Sequence, residues 1–201
     1  MIEKAKCSAA VLAGGYSSRM GQDKAALAVN ESTMLEHMVR KLRALGLEDI
    51  MISGSVLTAE GARNIPDVYP HRGPLSGIHS CLREAKGDAV LFLSVDLPFF
   101  PAETLQSLLD AHEGSVTLLR QGAQWEPLIG IYDKSVLSLC ESIIREENTS
   151  PWRVINASDT VTVEYTGPEE GLFNCNTMED YAELKRRLAH DKGNEKDRYG
   201  F

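Results

Sequence analysis

Residues Ala10 to Lys24 read AVLAGGYSSRMGQDK. Ala9 to Leu12 is a short apolar run, and a run of that length bounded by turn residues reads as a buried strand. It stops at Ala13-Gly14-Gly15. Two adjacent glycines let the backbone turn sharply and bring its N–H groups close to a ligand. Arg19 and Lys24 add two cations to the same loop. A strand that ends in such a loop, ahead of a helix, is where open α/β sheets bind phosphorylated ligands. A mobile surface turn can have the same composition, so the stretch alone has two readings.

Outward from this loop, strands and helices alternate. The first strand spans about Cys7 to Leu12. Thr33 with Glu36 three residues later is a capping-box pattern. Met34, Leu35, Met38, Val39, Leu42 and Leu45 follow at helical spacing, which predicts a helix from Thr33 to Leu45 that Gly46 ends. Asp49 to Ser53 reads as a second strand with Gly54 at its end, and Arg63 to Pro66 as a short third. Asp67 to Gly77 (DVYPHRGPLSG) is a Pro- and Gly-rich loop, with a helix after it to about Lys86. Ala89 to Ser94 is almost wholly apolar, the pattern of a central parallel strand buried on both faces. Pro101 opens the next helix, to about His112, where its missing N–H is harmless.

Val116 to Leu119 and Leu128 to Tyr132 are further strands. The segment between them is too short for a crossover helix, which predicts antiparallel pairing. A helix from Lys134 to about Glu146 follows, then a short one capped by Ser150-Pro151 and a β-rich Thr160 to Tyr165. The last helix starts after Asn174-Cys175-Asn176-Thr177, with Thr177 as N-cap and Asp180 at its third position. The expectation is an α/β fold: a mainly parallel twisted sheet flanked by helices, with antiparallel pairing in the C-terminal half. The 201 residues suit one domain over 1–190 and a polar, frayed tail over 191–201.

The formal net charge of −8 argues against a general nucleic-acid binder, which carries a basic footprint. It leaves room for a small anionic ligand held by local cations. No apolar run approaches the ~18 residues that mark a membrane span. Cys7, Cys81, Cys140 and Cys175 form no C-x-x-C pair and no signal peptide precedes them, which reads as reduced thiols in a cytoplasm. The five histidines make no zinc pattern.

Two common nucleotide signatures fail. Gly21 is not followed by the Lys of a P-loop, and adjacent Gly14 and Gly15 break the G-x-G-x-x-G spacing. Asp96, just beyond a central strand, shares the rim of the glycine loop and suits a magnesium ligand, since magnesium takes one or two carboxylates with water and phosphate oxygens. A turn aspartate capping the next segment is the alternative. Asp67 precedes Gly73-Pro74-Leu75-Ser76-Gly77, where a helix N-terminus faces whatever the loop holds, or simply starts a helix. Asn174 and Asn176, two apart in an extended segment, turn both amides to one side. They suit a heterocycle-bearing ligand, or turn and cap duties.

Leu12-Ala13-Gly14-Gly15, Arg19-Met20-Gly21-x-Asp23-Lys24, Gly73-Pro74-Leu75-x-Gly77, Asp96-x-Pro98 and Asn174-x-Asn176-Thr177 occur here in the order seen in molybdenum cofactor guanylyltransferases, and the chain resembles that family over residues 8 to 188. The resemblance implies a Rossmann-like nucleotidyltransferase fold. It implies an enzyme that joins GMP from GTP to the terminal phosphate of molybdopterin and releases pyrophosphate, with Mg²⁺ as cofactor. Leu12, Ala13, Gly14 and Gly15 would contact guanine and ribose, Lys24 with Arg19 the phosphates, Asp67 the nucleotide, Asp96 the metal, and Asn174 and Asn176 the molybdopterin. Arg19, Lys24 and Asp96 would carry the catalysis. Proteins that insert the metal or accept the finished cofactor are implied partners. The family often places an asparagine at the end of the second strand, where Ser53-Gly54 stands here. A relative using CTP or acting on a sugar phosphate, and a non-catalytic nucleotide-binding module, are the alternatives. Keeping Arg19, Lys24 and Asp96 together speaks against the module.

Overall fold

The structure, a computed structural model, describes residues 2–3, 6–14, 23–147 and 149–191. Gly15 and Arg19 lie outside the described residues. Of the expected tail only Asp191 is described, as the last residue of a helix.

The expected central strands form because nothing in them needs water. Strand β1 (Cys7–Leu12) is buried along its whole length, and β6 (Ala89–Ser94) is buried in all but its last residue. They pair in parallel, Ala10 beside Phe92. On the other flank of β1 stands β4 (Ile50–Ser53), followed by β5 (Ala62–Ile65), both parallel. No helix connects β4 to β5, so the strict strand–helix alternation fails there. Asn64 instead organises the connecting loop, its amide donating to the carbonyls of Ser55 (2.8 Å) and Leu57 (2.9 Å).

Beyond β6 the sheet changes direction. Strand β8 (Gln124–Asp133) runs antiparallel to both β6 and β7 (Val116–Gln121), and β9 (Thr160–Glu164) closes the edge parallel to β7. The order is β5-β4-β1-β6-β8-β7-β9. Antiparallel pairing is as expected, but β8 is longer than the Leu128–Tyr132 pattern suggests. It begins at Gln124 because Gly122, at φ +58°, turns the chain in two residues. A two-strand hairpin, β2 (Ala28–Val29) with β3 (Ser32–Thr33), was not legible as strands.

The helices cover both faces. Helices α1 (Met34–Ala44), α3 (Ala102–Ala111) and α6 (Met178–Asp191) bury Met38, Leu42, Leu105 and Leu184 with Val11 and Leu91 on one side of the sheet. Helices α2 (Gly73–Glu84), α4 (Leu137–Arg145) and α5 (Trp152–Asn156) bury Leu75, Ile78, Cys140 and Ile155 with Ala10 and Phe92 on the other. Alternate residues of β1 therefore serve opposite cores, as a strand's period of two demands. The predicted capping box closes α1: Thr33 Oγ1 accepts from Glu36 N (3.2 Å) and Glu36 accepts from Thr33 N (2.7 Å). Two helix starts differ from expectation. Helix α2 begins at Gly73, inside the expected loop, since Pro74 is tolerated in a first turn. Residues Lys134–Val136 form a 3-10 turn before α4. Among the described residues no helix is long and apolar enough to cross a membrane. All four cysteines are free and buried, and burial pushes the thiols of Cys7, Cys81 and Cys140 up to about 12 and that of Cys175 to about 11.

Two polar residues sit among the apolar ones of α1. His37 and Lys41 are almost wholly buried. Lys41 Nζ donates to the carbonyls of Pro98 (3.1 Å) and Phe100 (2.5 Å), and His37 Nε2 donates to the same Pro98 carbonyl (2.8 Å). The loop after β6 thus has its carbonyls satisfied by a helix more than fifty residues away in sequence, as buried polar groups require. Burial, with the charge of Lys41 second, pulls the His37 imidazole from the usual 6.5 down to about 4. Between those values the unfolded chain binds a proton that the folded chain refuses. His37 therefore weakens the fold as pH falls through this window and has no such effect above it. In urea titrations the stability of the wild type relative to His37→Gln is expected to fall by up to about 3 kcal/mol between pH 7.5 and pH 4. A difference independent of pH would contradict a neutral buried imidazole.

Candidate active site

The C-terminal ends of three parallel strands finish level, with Ser53 and Ser94 flanking Leu12. Ladder bonds continue one step further: Ala13 N donates to Ser53 O (2.8 Å) and Val95 N to Leu12 O (3.1 Å). Past that line the chains of β1 and β4 touch. A Cβ on Gly54 would lie 2.3 Å from Gly14 Cα, and Gly54 holds φ +79°. Glycine is needed here for space and for backbone conformation alike. Ser53-Gly54 is therefore a matched partner of Ala13-Gly14.

This crossing opens on a cavity of about 410 Å³. Leu12, Gly14, Ser53 and Gly54 form its floor, and Gly73, Pro74 and Gly77 bring in the first turn of α2. A Cβ at Gly77 would fall 2.5 Å from Ser53 Oγ, so glycine lets α2 lie against the strand ends. The N-cap residue Arg72 makes no side-chain capping bond, and the positive end of the α2 dipole lies at the cavity that Gly73 and Pro74 line. Asp67 lines the wall. Its loop is tied to α2 by Ser76 Oγ donating to Tyr69 O (2.6 Å) and Val68 N donating to Ser80 Oγ (2.9 Å). Ser53 Oγ donates to Asp67 Oδ1 (3.3 Å). Burial raises the Asp67 carboxyl above its ordinary value, against that hydrogen bond and the charge of His71.

A second cluster stands on the same rim. Lys24 Nζ donates to Asp96 Oδ2 (3.4 Å) and to Asn176 Oδ1. Ser94 Oγ donates to Asp96 Oδ1 (2.6 Å). Three chain segments meet in these contacts, and each is held locally. Asp23 caps the 3-10 turn Lys24–Ala26, its side chain accepting from Ala25 N (2.9 Å). The Asp96 carbonyl accepts from Cys175 N (2.9 Å), which docks the C-terminal segment on the rim. Asp180 accepts from the backbone of Asn176 (2.9 Å) and Thr177 (2.8 Å), while Thr177 Oγ1 accepts from Asp180 N (3.1 Å), the cap expected at the last helix.

Of the sequence-derived residues, the structure thus gathers Leu12, Gly14 and Asp67 around the cavity and Lys24, Asp96 and Asn176 beside it; Ala13, between Leu12 and Gly14, packs into the core. Asn174 stands exposed two residues before Asn176. Ser94, His71 and Leu128, which also meet the cavity or the Asp96 carboxylate, carry no signal beyond their place at a strand end or turn. Among the described residues no three His, Cys, Asp or Glu side chains gather into a metal cage. A lone rim carboxylate suits a hydrated divalent ion shared with phosphate oxygens rather than a closed protein site.

The family model described as a MobA-like NTP transferase domain matches residues 9–161 of this chain, a span holding both strand ends, Lys24, Asp67 and Asp96. The chain belongs to this family. As a member it is a nucleotidyltransferase. A Carboxydothermus hydrogenoformans protein named "probable molybdenum cofactor guanylyltransferase" is 38% identical over 188 residues, covering 87% of this chain and 93% of that one. The crystal structure of molybdopterin-guanine dinucleotide biosynthesis protein A from Archaeoglobus fulgidus superposes with a TM-score of 0.76 at 19% identity, covering 91% of this chain and 99% of that one. A Mycobacterium tuberculosis protein crystallised in complex with manganese shares the fold at a TM-score of 0.65 and 14% identity, over 89% of this chain and 97% of that one.

The contact between Gly14 and Gly54 makes this nucleotidyltransferase sensitive to a single methyl group. Gly54→Ala is expected to cost at least about 2 kcal/mol of stability, read as a lowered urea midpoint. An unchanged midpoint would show that the two backbones can separate freely.

Proposed function

We propose that the protein transfers GMP from GTP to the terminal phosphate of molybdopterin, releasing pyrophosphate, within molybdenum cofactor biosynthesis. The observation that carries this reading is the meeting of Lys24, Asp96 and Asn176 on one rim, beside a cavity that ends at the α2 N-terminus. The name and 38% identity of the Carboxydothermus relative support the choice of substrates.

The base belongs in the cavity. Guanine offers a ring N–H and an exocyclic amino group side by side, and the Asp67 carboxylate accepts two such bonds. Cytosine offers only the amino group on that edge, so Asp67 favours guanine. Leu12 and Gly14, which line the cavity, would border the base and ribose, with Ala13 and Gly15 adjoining them in the sequence. The phosphates lead toward Lys24, with Arg19 on the same sequence loop. A phosphate oxygen of the acceptor attacks the α-phosphorus in line. The new P–O bond forms as the bond from the α-phosphorus to the bridging oxygen breaks, and the electron pair leaves with pyrophosphate. The acceptor's phosphate monoester is largely ionised at neutral pH, so no protein base is required. Lys24 offsets charge on the equatorial and leaving oxygens, the preorganised form of stabilisation that lowers such barriers most. Asp96 would hold Mg²⁺, which when bound neutralises phosphate charge. Asn174 and Asn176 border the acceptor side.

Lys24→Ala and Asp96→Ala are each expected to lower turnover at least tenfold, about 1.4 kcal/mol of barrier, with folding intact by circular dichroism. Wild-type rates in both would sink the assignment. Asp67→Asn is expected to raise the KM for GTP at least tenfold and to narrow the preference for GTP over CTP. A product assay offering each nucleoside triphosphate with molybdopterin reads this directly. Pyrophosphate release with CTP in preference to GTP would move the protein to the cytidylyl branch.

A further inference from the structure

One carboxylate on the rim has no assigned partner. Strand β8 runs antiparallel to β6, so its first residues come to the edge where β6 ends. Leu128 and Ser94 line the same cavity there. Just before Leu128 the pairing with β7 slips: Leu118 stands opposite Gly130, yet Leu119 stands opposite Glu126. Pro127 sits inside this bulge, where a strand accommodates a residue with no N–H. The bulge is held in shape, since Tyr132 Oη donates to Pro127 O (2.7 Å) and the Tyr132 ring packs edge-on against Phe92.

Bulges next to active sites re-aim side chains, and this one carries Glu126 to the rim. Glu126 is half-buried, and among the described residues its carboxylate makes no hydrogen bond or ion pair. Antiparallel pairing, with Phe92 opposite Gly130, brings the residues after β6 and those before Leu128 to the same edge, Asp96 on one strand and Glu126 on the other; burial raises the Glu126 carboxyl above its ordinary value and the charge of Asp96 raises it further. A half-buried carboxylate beside phosphates and a second carboxylate is unfavourable unless a donor meets it. A hydrated cation shared with Asp96 and phosphate oxygens is one such partner; a pair of adjacent N–H donors on the acceptor is the other, and the Mg²⁺ dependence tells them apart.

We propose that Glu126 is an acceptor-binding residue, its two oxygens receiving the adjacent ring N–H and amino group on the 2-amino-4-oxo edge of a pterin. The proposal rests on the acceptor being a pterin phosphate, as inferred above. A carboxylate accepts two parallel N–H bonds in the geometry that such an edge presents. The same edge in lumazine, which carries a carbonyl where pterin carries the amino group, turns a lone pair toward the carboxylate and is rejected. Glu126 thus sets which bicyclic ring is accepted, while Asp67 reads the nucleotide base.

The test combines a change in residue with a change in ligand, so that the coupling between them is measured. With the full chain, GTP and Mg²⁺, Glu126→Gln is expected to raise the KM for molybdopterin at least tenfold. The KM for GTP and the Mg²⁺ concentration giving half-maximal rate stay unchanged. Pterin is expected to bind the wild type at least tenfold more tightly than lumazine by equilibrium dialysis, a result that needs no variant, and Glu126→Gln is expected to level the two. A pterin preference that survives in Glu126→Gln overturns the proposal, as does its absence in the wild type. A shift in the Mg²⁺ requirement in place of the acceptor KM overturns it in favour of a metal ligand. Should the wild type release no pyrophosphate from GTP and molybdopterin, the acceptor reading fails, and the dialysis comparison still decides the role of Glu126 separately.

Discussion

Two strands of a parallel sheet normally keep the 4.7–4.9 Å ladder spacing and diverge into separate loops. Here β1 and β4 end and their chains converge, Gly14 against Gly54, closely enough that a side chain at Gly54 would collide with the Gly14 backbone and one at Gly14 would be tightly crowded. The rim depends on that convergence. It lowers the floor beneath the cavity, lets Ser53 reach Asp67, and sets the start of the loop that leads toward Lys24. Gly77 extends the same economy of volume to α2, where a methyl group would displace the Ser53 hydroxyl from its present position. The site is carved mostly by absence of side chains, and the few polar groups that remain are correspondingly well defined.

Asp96 shows the complementary strategy. Ser94, Lys24 and the Cys175 backbone contact the residue directly, while His37 and Lys41 fix the carbonyls of the loop that follows it. Carboxylate and loop are thus each restrained by these hydrogen bonds. A rigid mount of this kind suits the role proposed for Asp96, because misplacement by an ångström is costly in a transfer reaction. The antiparallel half of the sheet contributes differently, through one bulged strand that brings new side chains to an edge built by parallel ones.

How much of this was legible in the sequence depended on range. β1 and β6 were readable because an uninterrupted apolar run has few other uses, and both capping boxes because their partners lie three residues apart. The hairpin of β7 and β8 was readable from the shortness of its connection, although its true length was hidden because Gln124, Glu126 and Pro127 break the apolar pattern of a strand. The gathering of Lys24, Asp96 and Asn176, spread over more than 150 positions, was legible only through resemblance to a family. His37 and Lys41 escaped notice altogether. A histidine and a lysine on a helix read as solvent-facing, and the carbonyls that justify their burial lie 57 to 61 residues further on. The start of α2 was misplaced because Pro and Gly signal loops more often than first turns.

The buried cysteines have a practical corollary. Every thiol of the chain is enclosed and held in its protonated form well above neutral pH, and only the thiolate reacts with alkylating reagents. A cysteine introduced at an exposed position such as Val56, in the loop joining β4 to β5, would be the one reactive sulfur on the folded protein. A fluorophore or spin label could then be attached two residues from Gly54, which lines the cavity, without first removing any native cysteine.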